Sequence, residues 1–256
     1  MLLRVNDLTV AEHHPPVGRV VLVTGGSRGI GAEITRQLAA RGCRVTCTYR
    51  ANRDAAHSVA DEHPGAVHTT HYELGDQDSA TAAVAATIDR WGNLDGVILN
   101  AGQWSGGRLE AVEPADWWRT VEANVAGTAQ LARAALPALR QGSAPSMVVV
   151  SSVVGLIGNP GDTAYGSAKA ALIGFARSLA KEVGRDGIRV NVLAPGLVET
   201  DMTADLDDRS RDRITAGLVM RRLGTAAEAA RAAVFLSEDA TYCTGTVLTV
   251  DGGWSL

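Results

Sequence analysis

The chain has 256 residues, 46% hydrophobic and 20% charged, with a formal net charge of −4 at pH 7. That length allows one large domain or two small ones with a full core, and the composition excludes a disordered chain. The mildly acidic balance, with a pI of ≈ 5.9, supplies no basic field to gather nucleic acid or an anionic membrane surface.

Residues 1–17 read as a short N-terminal tail. Arg4, Asp7 and Glu12 break its apolar stretches, so it has no signal-peptide core, and Pro15 and Pro16 mark its end. His13 and His14 read as solvated tail residues. No apolar run approaches the ~18 residues that span a bilayer. Cys43, Cys47 and Cys243 are scattered, without the second pair a zinc site needs, and read as reduced thiols of a cytoplasmic protein. No metal site is expected.

From Val20 onward, β-branched runs at 20–24, 44–49, 66–72, 96–100, 147–152, 188–194 and 246–250 alternate with helix-like stretches. These lie near 29–41, 53–62, 77–91, 114–140, 163–184 and 225–237. Most of the runs lack polar–apolar alternation, so both faces of the strands are covered. The pattern predicts an α/β fold: a single Rossmann-type, doubly wound domain over 18–256, with a mainly parallel seven-stranded sheet and helices on both faces. In such a sheet ligands bind beyond the carboxyl ends of the strands. The residues that follow each run are therefore the ones to read.

After the first run comes TGGSRGIG, in which Gly25, Gly29 and Gly31 are spaced G-x-x-x-G-x-G and a helix opens. Glycines there let the backbone turn tightly and let a pyrophosphate approach the helix N-terminus. At 165–169 the sequence YGSAK sets Tyr165 four residues before Lys169, on one face of a helix. That spacing fits a solvated surface pair or an acid and its tuner. An ammonium ~4 Å from a phenol, at an effective dielectric near 20, favours phenolate by about 4 kcal/mol. As an upper bound this brings the phenol near neutrality.

The glycine turn resembles the TGxxxGxG signature of the short-chain dehydrogenase/reductase family. Further family motifs follow in order: NAG at Asn100, Ala101 and Gly102, Asn124, SSVVG at 151–155, YGSAK at 165–169, PGLVETDM at 195–202 and VDGG at 250–253. The resemblance spans Val20 to Trp254 and is nearest to 3-oxoacyl-(acyl-carrier-protein) reductases. It implies an oxidoreductase with Ser152, Tyr165, Lys169 and Asn124 as catalytic residues. Ser152, rather than Ser151, orients a carbonyl oxygen, and Tyr165 gives the proton. Lys169 also holds the nicotinamide ribose, and Asn124 holds a water behind it. The cofactor site takes in Gly25, Ser27, Arg28, Gly29, Ile30 and Gly31, then Tyr49 and Arg50, Glu73 and Leu74, and Asn100, Ala101 and Gly102. It continues through Tyr165, Lys169, Pro195, Gly196, Val198 and Thr200.

Tyr49 stands where NAD-binding members carry an acid, Arg50 follows it, and Arg28 sits inside the glycine turn just before Gly29; a 2′-phosphate suits guanidinium groups, so NADP(H) is expected. Asp76 competes with Glu73 for the adenine position. The segment near 198–224 reads as a mobile substrate lid. Trp104, Gly155, Leu156 and Met202 are candidate substrate walls. After NAG the sequence QWSGGRLEAVEP departs from the reductases, and Asp186 stands at one position of their basic carrier-docking pair, with Arg140 and Arg185 nearby. The expected substrate is a carbonyl compound, free or carried as a thioester on acyl-carrier protein or coenzyme A. Another family carbonyl or alcohol, and a nucleotide sensor without chemistry, are the alternatives. The resemblance also implies a homotetramer.

Overall fold

The computed structural model describes residues 18–200, 212 and 214–256. The tail expected at 1–17 lies outside them. The chain runs β1 (Val20–Val23), α1 (Gly29–Ala40), β2 (Arg44–Tyr49), α2 (Arg53–Asp61), β3 (Val67–His71), α3 (Gln77–Trp91) and β4 (Gly96–Leu99). It continues through α4 (Pro114–Leu139), β5 (Ser146–Val150), α5 (Val154–Ile157), α6 (Thr163–Val183), β6 (Arg189–Pro195) and β7 (Val198–Glu199). It closes with β8 (Gly224–Thr225), α7 (Ala226–Val234) and β9 (Val247–Val250).

Seven strands form one sheet in the order β3-β2-β1-β4-β5-β6-β9, every neighbouring pair parallel. The inner strands β1, β4 and β5 are buried at every residue, as their uninterrupted apolar runs require. The edge strands β3 and β9 are only half-buried. Helices α3, α4 and α6 cover one face around Leu131, Met147 and Leu172. Helices α1 and α7 cover the other around Ile34, Leu38 and Val234. Several helix starts are chosen by local chemistry: Asn52 caps α2, Asp76 caps α3 by accepting from Ser79 N at 2.9 Å, and Thr225 with Glu228 forms a capping box on α7. Two elements have no counterpart in the sequence reading, the four-residue α5 and the two-residue β7–β8 pair, which are too short to show a period.

The winding reverses between β1 and β4, so their carboxyl ends part and leave a crevice there. At the opposite end of the sheet a buried ionic cluster fastens the strand starts. Arg19 donates to Asp95 O at 3.0 Å and Ser146 Oγ at 3.3 Å, and its Nε lies 3.5 Å from Glu238 Oε2. Asp95 in turn accepts from Val20 N at 2.8 Å and Ser143 N at 2.7 Å. The side chains of Arg19 and Glu238 are 2% and 0% exposed, so removing one leaves the other charge uncompensated in the interior. We expect Glu238→Ala to lower the unfolding free energy by about 3–5 kcal/mol in denaturant titrations. A loss below about 1 kcal/mol, the value of a solvated pair, would show that the cluster does not hold this end of the sheet.

Candidate active site

The crevice is built first from backbone. Gly25 and Gly29 have φ of 63° and 54°, in the left-handed region, so the turn after β1 requires glycine at both. A Cβ on Gly31 would collide with Gly25 O and with Asn100 Nδ2, which makes Gly31 a point of obligatory close approach. Asn100 donates from Nδ2 to Thr24 O at 2.9 Å and Gly25 O at 3.2 Å, joining the end of β4 to the glycine turn across the switch point. Two threonines complete the joint. Thr24 Oγ1 accepts from Asn100 N and Ala101 N, both at 2.9 Å, and Thr48 Oγ1 accepts from Gly25 N at 3.0 Å. Neither stands out in the sequence; the only signal was their place at strand ends.

The amino end of α1 carries no side-chain cap and no acid in its first turn. Helix N-termini of this kind favour anions through their unpaired N–H groups and dipole, and the residues present fit a dinucleotide pyrophosphate. Ser27 and Ile30 are half-buried in the turn and Arg28 is exposed on it. The methyl of Thr200 would lie 3.3 Å from a Cβ on Gly29, so the strand leaving β6 crosses the glycine turn. Pro195 and Gly196 lead into that crossing, and Gly196 packs on Asp251, where a Cβ would come within 2.7 Å. Val198 is buried and pairs with Gly224, so β7 and β8 close the base of the segment expected as a lid. Residues 201–211 of that segment, Met202 included, lie outside the described residues.

At the far end of β2, Tyr49 is half-buried and stands edge-on to His71, with centroids 6.0 Å apart. Arg50 is exposed beside it, and Asp54, the first acid after β2, sits in the first turn of α2. Glu73 and Leu74 are half-buried after β3. Leu74 packs on Gly127, whose Cβ would come within 2.6 Å. Asp76, the competing adenine residue, is occupied as the cap of α3.

The carboxyl end of β5 and the first turns of α6 bring Ser152, Tyr165 and Lys169 together. The Ser152 hydroxyl neighbours the Tyr165 phenol and eases its ionisation, and it accepts from Val154 N at 3.2 Å. Ser151 points the other way, donating to Lys169 O at 2.7 Å, which ties β5 to α6. Lys169 is 3% exposed; its Nζ donates to Val150 O at 2.9 Å and lies 5.5 Å from the centre of the Tyr165 ring. Gly102 threads between this ammonium and Asn124. A Cβ there would lie 3.3 Å from Lys169 Nζ and 3.0 Å from Asn124 Oδ1. Asn124 Nδ2 donates to Gln103 O and Thr120 O, both at 2.8 Å, so it holds the loop after β4 against α4.

The electrostatics differ from the expectation that the lysine brings the phenol near neutrality. Tyr165 is half-buried, and burial pushes its phenol up to about 12 against the opposing influence of Ser152. Burial likewise pushes Lys169 down to about 8. Desolvation of both groups outweighs their mutual attraction, because the ammonium is turned toward Val150 O and not onto the phenol oxygen.

The candidate substrate walls separate. Trp104 and Leu156 are 54% and 43% exposed. Gly155 is a packing contact: a Cβ there would come within 2.7 Å of the Lys169 carbonyl carbon. Arg140 donates to Asp186 at 2.7 Å, which compensates the charge of one candidate docking cation. Cys43 and Cys47 are buried free thiols, and no helix among the described residues is long and apolar enough to cross a membrane. No group of side chains able to hold a metal occurs among the described residues.

A family model described as enoyl-(acyl carrier protein) reductase matches residues 25–255. The 3-oxoacyl-(acyl-carrier-protein) reductase of Escherichia coli is 38% identical over 237 residues, covering 92% of this chain and 97% of the relative. The enzyme of the same description from Chlamydia muridarum is 36% identical over 241 residues, covering 93% of this chain and 97% of the relative. A short-chain dehydrogenase/reductase of Serratia marcescens, solved as a doubly substituted variant, superposes with a TM-score of 0.89 at 31% identity, covering 95% of this chain and all of that one. The chain belongs to the short-chain dehydrogenase/reductase family and is an oxidoreductase of the CH–OH group that works with a nicotinamide cofactor.

Proposed function

We propose that this chain reduces the ketone of a 3-oxoacyl thioester to the secondary alcohol, using NADPH. The observation that carries the reading is the convergence of Ser152, Tyr165 and Lys169 at the carboxyl end of β5, next to the crevice of the glycine turn. The bound cofactor supplies the hydride. Ser152 and Tyr165 are then two hydroxyl donors for one oxygen, which suits a carbonyl better than a carbon–carbon double bond. With its phenol pushed up to about 12, Tyr165 is protonated at neutral pH and ready to act as the acid. Lys169, an ammonium below about 8, stabilises the phenolate that remains after the proton is given. Asn124 holds the loop at Gly102 so that Lys169 keeps its place.

The preference for the phosphorylated cofactor is supported by Arg28 and Arg50, two exposed guanidinium groups, and by the lack of an acid at the end of β2. The thioester class is supported by the named activity of the curated relatives. The compensated Arg140–Asp186 pair favours recognition of the acyl portion over a carrier docked on this surface. A homotetramer in the cytoplasm completes the reading, supported by the half-exposed edge strand β9 and the buried free thiols. A different ketone is the second reading, favoured by the exposed Trp104 in a loop unlike that of the reductases.

Absorbance loss of the reduced nicotinamide with acetoacetyl-coenzyme A, beside a panel of simple ketones, separates the two readings. Reduction of the thioester is expected, and reduction of the simple ketones alone would exclude it. Tyr165→Phe is expected to lower turnover by about 10³-fold with cofactor affinity kept, and near-parental turnover would contradict the assigned proton donor. Replacing Arg28 and Arg50 together by Ala is expected to weaken NADPH binding by about 10- to 100-fold and NADH binding little; equal weakening would refute the phosphate site. The sign of the pH dependence follows from Lys169. The charged form needed for reduction predominates below about 8 and is lost above it, so kcat/KM for reduction should fall as pH rises through that value. A profile that stays flat well above it would show that this ammonium is not required.

A further inference from the structure

The loop after β4 is tied to the head of the catalytic helix. Trp104 Nε1 donates to Asp162 Oδ1 at 2.7 Å, and Asn159 Nδ2 donates to Asp162 Oδ2 at 2.6 Å, so both carboxylate oxygens are engaged. Gly107 N donates to Gly161 O at 2.8 Å, a second tie between the same segments. One residue further on, Trp117 Nε1 donates to Thr163 Oγ1 at 3.0 Å. The indole of Trp104 folds back over Gly106, where any Cβ would collide with the ring. Asp162 stands at the start of α6, three residues before Tyr165, and its own carbonyl accepts from Gly166 N at 2.6 Å. A carboxylate one turn from the phenol opposes formation of phenolate, and each N–H donated to that carboxylate disperses its charge.

We propose that Trp104 is a positioning residue that acts on Tyr165 through Asp162: its indole N–H fixes and partly neutralises the carboxylate at the head of the catalytic helix, so the loop after β4 controls the proton donor from outside the site. Among the described residues, few charged groups face Tyr165. Lys169 faces it from its own helix and Ser152 from the end of β5, while α5 carries no charged residue. Beyond the loop after β4, Arg108 pairs with Glu110, and at the head of α4 Arg119 pairs with Asp116. Asp162 contributes to the raised phenol in the same sense, behind burial and the influence of Ser152. The inference rests on Tyr165 being the proton-transfer group only for its functional consequence; the coupling itself is a property of the free protein.

The test is a titration of Tyr165 in the full chain carrying tyrosine labelled with ¹³C at Cζ. There are four tyrosines, and Tyr165→Phe assigns the resonance. At about pH 11, Trp104→Phe, which removes the N–H and keeps an aromatic ring, is expected to lower the Tyr165 phenolate fraction about threefold. Asp162→Asn is expected to raise it about threefold, and the double variant should match Asp162→Asn. An unmoved Tyr165 in Trp104→Phe, or a Trp104 effect that persists without the carboxylate, overturns the proposal. If Trp104→Phe disturbs the Tyr49, Tyr72 and Tyr242 resonances as well, Asp162→Asn decides alone, and an unmoved Tyr165 there also overturns it. The pH profile of alcohol oxidation separates this from the functional reading. A Tyr165 that shifts as expected, beside a rate profile that does not follow, would refute Tyr165 as proton donor and leave the coupling standing.

Discussion

The site is organised around one ammonium group held inside the protein. Lys169 is 3% exposed, and its desolvation has to be offset by nearby acceptors. Val150 O is the acceptor its Nζ reaches, at 2.9 Å, and that carbonyl is the last of β5. Ser151 ties the lysine's own carbonyl to the same strand end, and Gly155 lets α5 pass at backbone distance. Gly102 gives the loop after β4 room to run between Lys169 and Asn124. Any side chain there would crowd the ammonium and the amide. The sheet, helix α6 and the loop after β4 therefore meet at one charge.

That arrangement keeps Tyr165 protonated at neutral pH. Burial raises the phenol and lowers the ammonium, so the neutral phenol is the stable form and the charge on the lysine is held only below about 8. In the proposed reduction Tyr165 starts from that state and gives that proton. The glycine turn supplies the second half of the device. Asn100, Thr24 and Thr48 lock the strand ends to the glycine turn that opens α1, and Gly102, two residues on from Asn100, lies against Lys169.

Much of this was legible in the sequence because burial on both faces writes itself as uninterrupted apolar runs. VVLV, GVIL and SMVVV are strands with every residue buried, and the alternation with helices carries the winding. Gly25, Gly29 and Gly31 were legible because backbone geometry demands glycine there. The two-residue β7–β8 pair and α5 were not, since nothing that short has a period. Thr24 and Thr48 act through hydroxyls that reach across strands, a relation invisible along the chain. The phenol falls short of the upper bound for the same reason: a helix spacing gives a neighbour's distance but not its direction, and Lys169 turns toward Val150. Asp162 and Trp104, 58 residues apart, meet only in the folded molecule.

The central claim is that Ser152 and Tyr165 hold one oxygen of the substrate while the cofactor lies in the crevice of the glycine turn. A crystal structure of the chain with oxidised NADP and a 3-hydroxyacyl thioester tests it most directly. The account requires the hydroxyl oxygen within about 2.6–3.2 Å of both Ser152 Oγ and Tyr165 Oη. An alcohol oxygen bound away from either group, with the cofactor in place, would contradict it.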